Sequence, residues 1–62
     1  MENDILNLHK SFIENQNKQI ELANQLIEYA NGNEEVITLA NKMIKNCEKA
    51  ISIEQNINHF IY

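Results

Sequence analysis

Aliphatic residues return every seven positions along the first half of the chain, at Leu6, Ile13, Ile20 and Ile27. A second ladder, Ile37, Ile44 and Ile51, follows the only glycine, Gly32. A seven-residue apolar repeat on each side of one break predicts two amphipathic helices folded into a hairpin. Asn3 or Asp4 can cap the first helix, and neither proline nor glycine interrupts it before Tyr29 or Ala30, so it is expected over about 4–30. Ile5, Phe12 and Leu26 flank its ladder and widen the stripe beyond a narrow coiled-coil seam. The row three residues after each ladder position reads His9, Gln16, Ala23, Ala30: polar in its first half, small in its second.

Asn31-Gly32-Asn33 supplies a stop and a restart. Gly32 can take the left-handed conformation that closes a helix, and Asn33 can cap the next one. Glu34 and Glu35 then fall in a first turn, where the helix dipole favours negative charge. The second helix is expected over about 34–60, and a linker this short makes the pair antiparallel.

The apolar stripe of the second helix is wide. Val36, Leu39, Met43, Ala50, Ile53, Ile57 and Phe60 lie beside the Ile37 ladder and spread over more than a third of the circumference. One neighbouring helix cannot cover that. Two hairpins paired into a four-helix bundle would; an extra ~800 Å² of apolar area buried per chain is worth on the order of 20 kcal/mol before association costs. The residues assigned to an oligomer interface on this reasoning are Leu6, Ile13, Gln16, Ile20, Ile27, Ile37, Ile44, Cys47 and Ile51. The fold class is all-α: an antiparallel hairpin that dimerises into a four-helix bundle.

Length points the same way. A chain of 62 residues is one small domain, and at this size only about 60% of the unfolded surface is buried, so a disulfide, a metal or a partner is the usual support. One cysteine, Cys47, makes no internal disulfide, and clustered Cys and His of the zinc type are absent. A homo-oligomer remains.

Nine acidic against five basic residues, a net charge of −4, argue against nucleic acid as a partner, since phosphate binding needs a basic face. The lysines Lys10, Lys18, Lys42, Lys45 and Lys49 are scattered over solvated positions. Apolar runs are only a few residues long and the start is acidic, so neither a secretory signal nor a membrane span is expected. A single unpaired thiol suits a reducing compartment, and the expected location is cytoplasmic.

Ile20-Glu21-Leu22-Ala23, Gly32, Glu35-Val36, Leu39-Ala40 and Met43-Ile44 resemble the helical family named domain of unknown function 305, over about 8–57. The resemblance implies a ferritin-like four-helix arrangement built from hairpins and, for some members, binding of copper or another metal through adjacent histidines. This chain has Asn15 and Gln16 where those histidines stand, and Cys47 and Ala50 in place of a glutamine and a glutamate. No functional residue of the family is carried over.

The remaining candidate chemistry is sparse. In an antiparallel hairpin His9, Glu54 and His59 are brought toward one end, the single geometry that offers a metal site. Phe12 and Ile13, one turn after His9, cannot ligate. Glu14, Glu21 and Glu28 repeat beside the Ile13 ladder, but the Glu-x-x-His partner motif of di-metal bundles is missing, so they are read as solubilising residues. Cys47, mid-helix and beside Glu48, lacks the nearby cation that activates a thiol and is read as packing. Gln16, buried by register, is a device for fixing helix register or oligomer state. Three function classes follow: a homo-oligomeric module that binds another protein as regulator or inhibitor, a metal-binding bundle and, last, an enzyme. The first is preferred, with no cofactor and no catalytic residues.

Overall fold

Two helices and one turn account for the described chain: α1, Glu2–Tyr29, and α2, Glu34–Ile61. The computed structural model describes the backbone of residues 2–61 and the side chains of residues 4–60. α1 starts earlier than expected. Asn3 and Asp4 lie inside the helix, so neither caps it. Nothing from Glu2 onward breaks a helix, and Asp4 in the first turn suits the positive end of the dipole.

The break between the helices is tight. The Ala30 N–H still donates to the Leu26 carbonyl (2.8 Å), and the Asn33 N–H donates to the Ala30 carbonyl (3.0 Å), which closes a four-residue turn. Both central residues of that turn have positive φ, 50° at Asn31 and 87° at Gly32, the sign pattern of a type I′ turn. Asparagine and glycine are the residues that accept this conformation most readily. Asn33 then caps α2 as expected. Its Oδ1 accepts from the N–H groups of Glu35 (3.1 Å) and Val36 (3.4 Å), and its carbonyl accepts from Ile37 (3.0 Å).

The turn sets the register. His9 pairs with Glu54 near the open end, and Ala30 bonds to Asn33 at the turn; both pairs of numbers add to 63. Level positions on the two helices share that sum, which puts Gln16 level with Cys47 and Ala23 level with Ala40. The last two pairs include the most buried residues: Ala23 is 0% exposed, Ala40 2% and Cys47 4%. Among the described residues, no buried hydrophobic side chain is larger than cysteine. The ladder residues Leu6, Ile13, Ile20, Ile27, Ile37, Ile44 and Ile51 are half-buried along the same seam.

The result is a plank whose Cα atoms span 46 × 16 × 9 Å. Length follows from 28-residue helices at about 1.5 Å per residue, the width from two helices abreast and the thickness from one. An antiparallel pair is related by a pseudo-two-fold axis perpendicular to the plank. Rows in the same heptad position on α1 and α2 therefore fall on the same broad face.

Candidate interaction surface

That symmetry sorts the surface. With the ladder residues as position a, positions g and c hold Ile5, Leu8, Phe12, Leu22, Leu26 and Tyr29 on α1 and Val36, Leu39, Met43, Ile53, Ile57 and Phe60 on α2. All lie on one broad face. Much of it is open to solvent: Leu8 is 70% exposed, Leu39 61%, Leu22 50% and Ile53 50%. Positions e, b and f carry Lys10, Asn17, Glu21 and Glu28 on α1 and Asn41, Lys45, Glu48 and Gln55 on α2, all exposed. The plank has one greasy side and one wet side.

The nine residues assigned from sequence to an oligomer interface lie inward of this face. Leu6, Ile13, Gln16, Ile20, Ile27, Ile37, Ile44, Cys47 and Ile51 line the seam between α1 and α2, where each is half-buried except Cys47, which is buried. What the seam leaves wet is the flanking pair of rows. The sequence signalled that set through the excess width of the stripe, and the antiparallel register gives it a single side.

Polar groups along the seam are few. His9 Nδ1 meets Glu54 Oε1, with the side chains 13% and 17% exposed. His59 does not join them. It is exposed and set edge-on to Phe60, with ring centroids 5.9 Å apart. Among the described residues no group of three or more His, Cys, Asp or Glu is placed to hold a metal ion. Glu14, Glu21 and Glu28 are exposed, in line with a solvating role. Gln16 is half-buried, but the amide that meets Cys47 is Gln19, whose Oε1 accepts from the Cys47 thiol at 3.7 Å. Gln19 drew no notice in the sequence because it stands outside the ladder and its facing row.

A shallow concavity lies at the start of α2, bordered by Glu34, Glu35, Thr38 and Leu39. No helix among the described residues is long and apolar enough to cross a membrane. No family model, curated protein or solved structure matches the chain. The resemblance to the domain of unknown function 305 family therefore rests on apolar spacing alone.

Proposed function

We propose that the chain is a small acidic interaction module that works as a homo-oligomer, two hairpins closing into a four-helix bundle whose outer surface engages another protein. The supporting observation is the broad apolar face: Leu8, Leu22, Leu39 and Ile53 are at least half exposed while, among the described residues, no buried hydrophobic side chain exceeds cysteine. A single plank has too little interior to hold two 28-residue helices together in water. Its broad face, 46 × 16 Å between Cα atoms, covers on the order of 700 Å², close to the roughly 800 Å² per partner of a standard stable interface.

With that face covered, the remaining surface is polar and carries its negative charge near the turn, at Glu28, Glu34 and Glu35. The complementary chemistry is a basic groove on another protein. Charge of this kind steers encounter and selects partners more than it adds affinity. The role is binding, in the manner of a regulator or an inhibitor.

Sedimentation velocity over micromolar to millimolar concentrations tests the self-association. The chain is expected to sediment as an oligomer, and Leu8→Glu with Leu39→Glu, at solvent-exposed positions, is expected to break the oligomer and lower helicity together. A helical monomer at millimolar concentration would remove the proposal.

A further inference from the structure

The broad face is not uniformly apolar along its length. Positions g and c at mid-plank hold Asn15 and Gln19 on α1 and Asn46 on α2, all exposed. Because level positions add to 63, Asn46 stands level with Asn17, midway between Asn15 and Gln19. A belt of amides thus crosses the face near its middle. Apolar patches flank it on both sides: Leu8, Phe12 and Ile53 toward the open end, Leu22, Leu26 and Leu39 toward the turn. Asn15 and Asn46 also occupy the same heptad position of their respective helices, so the belt follows the pseudo-two-fold of the hairpin.

We propose that two copies pack apolar face to apolar face, end over end, about a two-fold axis that runs through the amide belt Asn15, Gln19 and Asn46. The proposal rests on the self-association argued above and names its geometry. An axis at the level of Asn46 sets Asn46 against the partner's Asn46 and Asn15 against the partner's Gln19. The same axis sets Phe12 against the partner's Leu22, Leu8 against the partner's Leu26 and Ile53 against the partner's Leu39. Amide meets amide, and apolar meets apolar, at every one of these levels. A side-chain amide carries both donor and acceptor, so it can satisfy its own copy across an isologous axis. The Cys47 thiol already occupies the Gln19 oxygen, which leaves the Gln19 N–H₂ to donate to the partner's Asn15. Any slip along the helices buries these amides against aliphatic side chains, at the cost of their hydrogen bonds.

Charge selects end over end from the alternative with both turns at one end. Glu21 and Lys42 stand level and offset each other, and nearer the turn the chain carries Glu28, Glu34 and Glu35 and no lysine. Most of the net charge of −4 is therefore concentrated near the turn. Aligned turns would crowd two such clusters together. End-over-end packing separates them and lays each beside the partner's open end, which carries less net negative charge, Glu2, Asp4 and Glu54 against Lys10.

Cysteine cross-linking of the full chain in a Cys47→Ser background, which keeps a donor for Gln19, tests the axis. A bis-maleimide with a reach matching the usual helix separation of about 8–10 Å is the probe. Asn46→Cys meets its own copy on the axis, whereas the two copies of Leu39→Cys stand roughly 20 Å apart at 1.5 Å per residue. Asn46→Cys is expected to cross-link about tenfold faster than Leu39→Cys, reflecting its higher effective concentration. Asn15→Leu with Gln19→Leu, added to the Leu39→Cys chain, is expected to loosen the register and let that position react as well. Equal rates at the two cysteines in a chain that sediments as a dimer would overturn the end-over-end axis and leave self-association standing. A monomer in the same sedimentation run would overturn both.

Discussion

His9 and Glu54 illustrate how much a single pair decides in a plank this thin. They meet near the open end with little of either side chain in water. Glu54→Ala removes the carboxylate from this pair; the expected loss is about 1–2 kcal/mol, read from urea unfolding followed by circular dichroism. Replacing both, His9→Leu with Glu54→Leu, is expected to restore most of that loss, because two aliphatic side chains at one level need no hydrogen bond. Neither residue was legible as half of a pair from the ladder alone. The convergence of His9 and Glu54 followed from antiparallel folding, but His59, at position b and off the seam, was carried along with them and in fact faces solvent. Gly32 and Asn33 were the opposite case. Their roles follow from backbone conformation and capping, which act within a few residues and so are written in the local sequence.

At the scale of the element, the sequence carried the helices well and their start less well. The ends at Tyr29 and Glu34 are forced by Asn31 and Gly32, whereas nothing in the first residues marks a boundary, and α1 runs back to Glu2. The stripe was wider than a seam in both helices. Which part of it one helix covers and which part it leaves depends on the handedness of the antiparallel pair, a relation between elements that no seven-residue period states. Ala23 and Ala40 show the constraint at its tightest, standing level and almost fully shielded. Ala23→Leu puts three more carbons into that level, and about 1–3 kcal/mol of destabilisation is expected from overpacking. The same substitution at Ser52, which is exposed, is expected to change stability little, so thermal unfolding of the two variants side by side separates a packing effect from a change in helix propensity.

At the scale of the whole molecule, the proportions matter more than any one contact. A plank 9 Å thick between Cα atoms has no residue with neighbours on every side except at its small-residue levels. If a second copy supplies the missing layer, unfolding is coupled to dissociation and the midpoint depends on concentration. Thermal midpoints measured at a series of total concentrations are expected to rise steadily with protein; a midpoint that ignores a hundredfold dilution would show that the hairpin is stable alone. The expectation of a partner rested on chain length and stripe width. The nine ladder and facing-row residues named for it line the seam between α1 and α2, and the exposed flanking rows became distinct from them only with the antiparallel register.

The scarcity of shielded side chains, with Ala23, Ala40 and Cys47 the only buried hydrophobic residues among those described, has a cellular corollary. If the chain folds only in company, it is exposed to proteases whenever it is scarce and protected once it is plentiful. Its dose would then respond more than proportionally to synthesis, so that low leakage is erased and a burst of expression persists.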